Sequence, residues 1–459
     1  MNARELRGRA VTVMGLGLQG GGVETVRFLV SRGARVTVTD QRPSEKLGES
    51  LAAIAGLDVR KVLGEHRLED FVSADLVVAN PAVAPSHPLL AAARERGVAV
   101  TSEMELFLQA CPARLVLITG TQGKSSTTNA AAQLLEACGR RVHLGGNIGR
   151  ALISSIDEMG EDDVAVVELS SYQLEALSPG FGPLPRVAAV ACVNVLADHL
   201  ERHGTIEAYE AAKHRILDLA PAPAAVVLPS DDPRVSRWVV ARGRELRFSV
   251  EDRSQAPLHL SNGEFRFGSE RLGRVADLRL PGEFQRANVL AALGLARALG
   301  ASPDALAAAV SRLAGLEHRL EDLGLFAGHR VWDNGVSTTP DSTLSALLAL
   351  ARPLTLLCGG QAKNLPLDEL ARAARERNTR VVTFGGSAEF LRRAFEAERV
   401  PVRAAPRLED AVELAFAHLV PGEELLFSPA CASFDAYRNF RDRALAFRAA
   451  LPRSTAAVS

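Results

Sequence analysis

Residues 115–128 read Leu115-Val116-Leu117-Ile118-Thr119-Gly120-Thr121-Gln122-Gly123-Lys124-Ser125-Ser126-Thr127-Thr128. An apolar, β-prone run leads into a short glycine loop, and the loop opens onto a stretch of Ala, Gln, Leu and Glu that stops at Gly139. Strand, loop and helix in that order predict a phosphate-binding unit. Backbone N–H groups of such a loop cradle phosphate oxygens, Lys124 balances their charge, and the Ser125 hydroxyl can meet Mg²⁺. The loop is shorter than the usual G-x-x-x-x-G-K-[ST] pattern, because Ile118 and not glycine stands five residues before Gly123. A fortuitous Gly-Lys-Ser turn would lack the flanking strand and helix. The expected ligand is ATP, held by Gly120, Thr121, Gln122, Gly123, Lys124, Ser125 and Ser126.

The same alternation runs outward in both directions. Val11–Met14, Val36–Thr39, Leu76–Val78, Val164–Glu168, Val187–Val193, Ala225–Leu228, Arg330–Trp332, Leu354–Cys358, Val381–Phe384 and Glu424–Ser428 all read as buried strands, with Ala/Leu-rich helical periodicity between them. Continuous apolar runs suit parallel strands covered on both faces, so the expected class is α/β throughout. Breaks near Cys111-Pro112-Ala113 and Leu313–Glu321 suggest three domains, 1–111, 112–315 and 316–459. One stretch, Leu258–Leu280, alternates more and carries turn signals at Asn262-Gly263 and Gly268-Ser269, which predicts a small antiparallel insertion in the central domain.

A second glycine loop, Gly15-Leu16-Gly17-Leu18-Gln19-Gly20, follows the first strand, and Asp40 ends the next one. Glycines let the backbone approach phosphates, the helix N-terminus attracts them, and the acid can reach a ribose. A tight turn beside a solvated Asp is the bland alternative, and the motif leaves the nucleotide open. An ATP site also needs acids for its metal. Glu168 ends a buried strand, where ligand sites open in parallel sheets, and Asp198-His199 follows another. On spacing, metal ligation and a mere orienting role fit His199 equally.

Composition narrows the class. The chain has 459 residues, 47% hydrophobic and 23% charged, which excludes disorder, collagen and coiled coil. With 53 Lys+Arg against 54 Asp+Glu there is no basic footprint for nucleic acid or an anionic membrane. Five widely spaced cysteines, none in C-x-x-C, read as reduced thiols. The charged N-terminus is unlike a signal peptide, and no apolar run nears the roughly 18 residues of a membrane span. The expectation is a cytoplasmic, soluble protein.

Several motifs together resemble the Mur ligase family: Gly-Thr-Gln-Gly-Lys-Ser, then Gly146-Asn147-Ile148-Gly149, Glu168-Leu-Ser-Ser-Tyr-Gln173, Asn194…Asp198-His199 and Ala211-Ala-Lys213, in the family's order and spacing. The run Leu426-Phe-Ser-Pro-Ala-Cys-Ala-Ser433-Phe-Asp…Asn439-Phe440 is similar to the D-glutamate-adding branch, and the resemblance covers nearly the whole chain. It implies a Rossmann-like N-terminal domain binding UDP, a central ATPase-type domain and a Rossmann-like C-terminal domain. The implied activity is ATP-dependent addition of D-glutamate to UDP-N-acetylmuramoyl-L-alanine through an acyl phosphate, by a monomer. Lys124, His199 and Lys213 are the implied catalytic residues. Ser125 and Glu168 would hold one Mg²⁺, and His199 a second, with Lys213 as a CO₂-derived carbamate. UDP-substrate contacts fall on Gly15, Leu16, Gly17, Gln19, Asp40, Gln41, Asn80, Asn147 and His199. Asn288, Arg319 and Asp333 match further ATP positions, and Thr338, Lys363, Ser433 and Phe440 match glutamate positions.

The chain also departs from the family pattern. Asp333-Asn334-Gly335-Val336-Ser337-Thr338 stands where many members have Asn-Asp-Ser-Lys-Ala-Thr, so the acid and amide are transposed and the lysine is absent. Either Asp333 or Asn334 could then meet the ribose. The rival readings are an L-glutamate-adding sister activity, a folylpolyglutamate synthetase, an oxidoreductase using NAD on Gly15–Gly20, and a nucleotide-binding regulator without catalysis. Without the resemblance Lys213 reads as a helix-surface lysine. Trp238 and Trp332 read as core or pocket walls, Cys431 as a small buried side chain, and the charged runs Arg242–Arg247 and Arg438–Arg443 as solvated faces.

Overall fold

The structure is a computed structural model that describes residues 6–17, 21–149, 151–251, 255–350, 353–363 and 365–452. Its strands make three sheets. β1 (Ala10–Met14), β2 (Arg35–Asp40), β3 (Val59–Leu63), β4 (Leu76–Ala79) and β5 (Ala99–Thr101) form a parallel sheet in the order β3-β2-β1-β4-β5. The central sheet is built from β6 (Arg114–Thr119), β7 (Val142–Gly146), β8 (Val164–Glu168), β9 (Val187–Cys192), β10 (Ala225–Pro229), β11 (Arg244–Ser249), β12 (Leu258–Ser261), β13 (Glu264–Phe267) and β14 (Glu270–Arg274). They run in the order β14-β13-β12-β11-β10-β9-β6-β8-β7. The last sheet uses β15 (Glu321–Phe326), β16 (His329–Asp333), β17 (Leu354–Gly359), β18 (Arg380–Phe384), β19 (Val402–Ala404) and β20 (Glu424–Ala430), in the order β15-β16-β20-β17-β18-β19, parallel except for the β15–β16 hairpin.

Every apolar run singled out above is a strand. The strands that escape the sequence pattern lie at or near sheet edges, such as β3 (Val-Arg-Lys-Val-Leu) and β19, where one side of the strand stays wet and no apolar run is required. The antiparallel element at 258–280 is present, and it is fused to the sheet rather than standing apart. β12 runs parallel to β11, and the hairpins β12–β13–β14 carry the sheet on to its edge. The charged run Arg242–Arg247 leads into β11, paired with β10; Arg242, Arg244 and Glu245 are exposed, as the solvated-face reading expects, and only Arg247 departs from it. The Arg247 guanidinium donates to the carbonyls of Val235 and Trp238 at 2.9 and 2.7 Å.

The first two sheets belong to one compact unit, Met1–Arg279 with Arg286–Leu313, and the third to another, Leu280–Gln285 with Ala314–Ser459. One apolar core spans both sheets of the first unit. It joins Val26 and Leu29 on the helix Gly21–Ser31, Phe107 on the helix Glu103–Ala110, and Leu152 and Ile153 on a short 3₁₀ segment of the central domain. In the first sheet the chain leaves β1 toward β2 and β4 toward β5, and in the central sheet it leaves β6 toward β7 and β9 toward β10, so neighbouring strands depart to opposite sides. Loops leaving the carboxyl ends there diverge and open a crevice. Candidate residues lie at these two places and, in the last sheet, after β16, β17 and β20.

Candidate active site

At the carboxyl end of β6 the chain turns through Gly120-Thr121-Gln122-Gly123 into the helix Lys124–Ala137. Gly123 caps that helix at φ +77°, and a Cβ there would lie 2.1 Å from Asn288 Oδ1, so only glycine fits. Asn288 is thereby packed on the loop, with Thr127 Oγ1 donating to its Oδ1 at 3.4 Å. Asn194, just past β9, clamps the other side. Its Oδ1 accepts from the N–H groups of Thr121 and Gln122 at 3.0 and 2.9 Å, and its amide donates to the Gln122 carbonyl. Lys124 Nζ donates to the Thr121 carbonyl at 2.8 Å, curling the loop. Asn194 was legible only as a motif letter; its position past a strand beside β6 is the signal for this role.

Glu168, at the end of β8, is 1% exposed. Asn147 Nδ2 donates to its Oε1 at 2.9 Å, while Oε2 is buried without a hydrogen-bond partner. A buried carboxylate oxygen left unsatisfied is costly unless a cation meets it. Buried Ser125 opens the helix after β6, and β8 pairs with β6 as far as Ile118↔Glu168. These residues fit a hard cation held by oxygen ligands. Gly146 makes the Asn147 contact available, since a Cβ there would fall 2.3 Å from the Glu168 carbonyl oxygen.

Asn147 also lines a cavity of about 900 Å³. Its opposite walls are the first glycine loop (Gly15, Leu16, Gly17), Asp40 with Gln41, and Asn80. Asp40 is buried, accepting from the N–H of Gly17 at 3.1 Å and of Arg42 at 2.9 Å, which ties the glycine loop to β2. Gln19 lies outside the described residues. Tyr172 and Gln173 enter the wall from a helix, Ser171–Glu175, whose capping box pairs Ser170 with Gln173 in both directions. The first glycine loop, Asp40, Asn80 and Asn147 thus line one chamber, and Asn147 in turn bonds Glu168.

Lys213 overturns its surface reading. It is 1% exposed, donates from Nζ to the Gly120 carbonyl at 2.6 Å, and lies 4.5 Å from the Tyr209 ring centroid. Burial, then the nearby Lys124 charge, pulls its amine down to about 7. Such an amine is partly neutral near neutral pH and can add CO₂. His199, at φ +51°, keeps a half-exposed side chain, with Tyr172 Oη and Glu201 Oε1 each 3.4 Å from Nδ1. Its ring packs against Tyr172 and Tyr209.

The C-terminal unit gathers Thr338, Lys363 and Ser433 at the ends of β16, β17 and β20. Lys363 Nζ donates to Thr338 Oγ1 at 3.1 Å, Ser433 is buried, and Phe440 opens the helix Phe440–Ala450, 39% exposed. Arg319 sits between His318 and Leu320, both at positive φ. Asp333 is fully buried: Oδ1 accepts from Gly335 N–H, and Oδ2 lies 2.7 Å from both His318 Nδ1 and Arg448 Nε. Asn334 is equally engaged, with Leu320 N–H, Ser337 and Ser428. Both side chains are held by hydrogen bonds within this unit. His318, Glu321 and Asp333 are close enough to hold a metal, but the Arg448 guanidinium already bonds all three. Arg443 is a further correction: far from solvated, it is fully buried and donates to the carbonyls of Gly359, Cys431 and Ala432.

A family model described as the Mur ligase middle domain matches residues 118–296, and one described as the Mur ligase MurD-like N-terminal domain matches residues 9–102. A UDP-N-acetylmuramoylalanine–D-glutamate ligase of Symbiobacterium thermophilum is 36% identical over 447 residues, covering 95% of this chain and 96% of the relative. The chain belongs to the Mur ligase family. A similarly named ligase of Trichlorobacter lovleyi is 37% identical over 98% of this Mur ligase and 100% of the relative. Among solved structures, UDP-N-acetylmuramate-alanine ligase MurC of Thermotoga maritima shares its fold with a TM-score of 0.60 at 18% identity, over 96% of this chain and 98% of that one. MurF of Acinetobacter baumannii gives 0.58 at 15%, over 97% and 92%. In this Mur ligase no helix among the described residues is long and apolar enough to cross a membrane.

Proposed function

We propose that this chain is the ATP-dependent ligase that adds D-glutamate to UDP-N-acetylmuramoyl-L-alanine in peptidoglycan synthesis. The relatives of near-full coverage carry that name. The observation that carries the reading is the single chamber running from the first glycine loop to Asn147, whose amide bonds Glu168 beside the phosphate loop. A nucleotide sugar seated with its uridine end at Gly15–Gly17 and Asp40 delivers its terminal carboxylate to the ATP γ-phosphate.

A carboxylate is a poor electrophile because its oxide leaves badly. Transfer of the γ-phosphoryl group gives an acyl phosphate and ADP. The D-glutamate amine then attacks the acyl carbon, and the tetrahedral adduct collapses to the amide, losing phosphate and the amine proton. The chain's share is positioning and charge. The loop amides after Gly120 and the Lys124 ammonium hold the phosphates, and Asn288 and Asn194 keep the loop in shape. Asn147 orients the precursor. Thr338, Lys363, Ser433 and Phe440 take the glutamate carboxylates and stem. Ser125 with Glu168, and His199 with a carbamylated Lys213, would hold two Mg²⁺ ions, which when bound draw negative charge from the phosphoryl oxygens. All these groups come from one chain, so a monomer suffices, and both nucleotide substrates belong to the cytoplasm.

The test is phosphate release with ATP, Mg²⁺ and UDP-N-acetylmuramoyl-L-alanine, comparing D-glutamate, L-glutamate and no amino acid. Release that depends on D-glutamate is the expected result. Preference for L-glutamate moves the protein to the sister activity. ATP binding without turnover on either amino acid removes the ligase reading.

A further inference from the structure

Between His199 and Lys213 stands an arginine that the reading above leaves without a task. Arg202 lies on the short helix Leu200–His203, its side chain 13% exposed. Its Nε and Nη2 both donate to Glu175 Oε2, at 3.0 and 2.9 Å. Its Nη1 donates to the carbonyl of Ala82 at 3.0 Å, and Nη2 reaches the carbonyls of Val83 and Pro81 at 3.2 and 3.4 Å. The guanidinium carbon lies 4.9 Å from the Tyr172 ring centroid. One side chain therefore grips a helix of the central domain, an aromatic ring and three consecutive carbonyls of the N-terminal domain. Pro81, Ala82, Val83 and Tyr172 all line the 900 Å³ cavity.

The grip matters because, among the described residues, Arg202 supplies the side-chain hydrogen bonds that join the 80–83 turn to the central domain. Its own bonds run inward: Asn80 N–H to Met14, Val83 N–H to the Asn80 carbonyl, and Ala82 N–H to Asn80 Oδ1. Its carbonyls face the guanidinium. We propose that Arg202 is a positioning residue that fixes this wall of the chamber and so sets how tightly the nucleotide-sugar substrate is held. The inference rests on the chamber being the site of UDP-N-acetylmuramoyl-L-alanine. A guanidinium suits the task and an ammonium does not, since its planar fork offers five fixed donors to a carboxylate and several carbonyls at once. The Arg202 guanidinium bonds the chamber wall and Glu175 rather than the phosphate loop or the glutamate positions, so its effect falls mainly on the nucleotide-sugar substrate.

The test compares Arg202→Met and Arg202→Lys with the intact enzyme. Kd for UDP-N-acetylmuramoyl-L-alanine is measured by calorimetry without ATP, and kcat and all three KM values by phosphate release. Hydrogen exchange of the amides of 80–84 is followed in the ligand-free protein. Arg202→Met is expected to raise Kd and KM for the precursor tenfold or more, to leave KM for ATP and D-glutamate within twofold, and to speed exchange at 80–84. Arg202→Lys should recover only a minor part. A lysine variant equal to wild type overturns the fork argument; so does an unchanged precursor KM, or an equal rise in all three. If Arg202→Met fails to fold, Glu175→Gln, which keeps the arginine but removes its carboxylate anchor, should raise the precursor KM about threefold, and no rise overturns the inference. Wild-type protein that does not bind the precursor would refute the functional reading instead. The exchange comparison then still decides the grip: faster exchange at 80–84 supports it, and unchanged exchange ends it.

Discussion

Lys213 gives the sharpest consequence of the structure. An ordinary lysine side chain titrates near 10.5, so at pH 8 only about 0.3% of it is neutral. With its amine pulled down to about 7 by burial and by Lys124, roughly nine-tenths is neutral at that pH, about a 300-fold gain in the form that attacks CO₂. The linkage has a definite sign. The folded amine binds its proton less well than the unfolded one, so between pH 7 and 10.5 the unfolded chain carries the extra proton. Stability from this group is complete above about 10.5, falls as pH drops, and below 7 carries a penalty on the order of 5 kcal/mol. Lys213→Met should therefore be more stable than wild type at pH 7 in CO₂-free buffer, with the difference shrinking by pH 9.5. The chemical assay is ¹³C NMR with labelled bicarbonate at pH 8. One carbamate resonance is expected in wild type and none in Lys213→Arg, whose kcat should fall by two to three decades, the scale of lost charge stabilisation at a metal-assisted phosphoryl transfer. A Lys213→Arg enzyme with wild-type turnover, or a resonance that survives the substitution, would refute this reasoning.

Other perturbations follow from single contacts. Gly123→Ala puts a Cβ 2.1 Å from Asn288 Oδ1 at φ +77°, so kcat/KM for ATP should fall on the order of 100-fold while calorimetric binding of UDP-N-acetylmuramoyl-L-alanine is kept. Glu168→Gln keeps a carbonyl for Asn147 Nδ2 but removes the charge, and titration of activity with Mg²⁺ should show a requirement raised tenfold or more, with no loss of Tm in metal-free buffer. Arg443→Met strands the carbonyls of Gly359, Cys431 and Ala432, and should cost about 3 kcal/mol. The check is calorimetry, where the transition should drop by several degrees.

How much of this was legible in the chain depends on whether the signal is local. The loop 120–125 needs only neighbours in sequence: an apolar strand, glycines that permit the turn, and a helix start. The same holds for Gly15–Gly17 and for Glu168 at its strand end. The apolar runs at β1, β6, β8, β10 and β17 likewise dictate buried parallel strands wherever they sit, because no other arrangement covers both faces. What the sequence could not decide was the meaning of a charged side chain. Lys213, Arg247 and Arg443 read as surface groups, yet each is drawn inward by carbonyls of neighbouring elements: Gly120 for Lys213, Val235 and Trp238 for Arg247, and the loops after β17 and β20 for Arg443. Asp333 and Asn334, open candidates for a ribose, are hydrogen-bonded to partners up to 115 residues distant. Burial and hydrogen-bond partnership are properties of packed neighbours, and a charge changes its chemistry only when those neighbours replace water. Local backbone pattern determined the loops and strands; tertiary packing alone decided which amine has its pKa lowered, which arginines brace the fold, and which buried carboxylate oxygen has no hydrogen-bond partner.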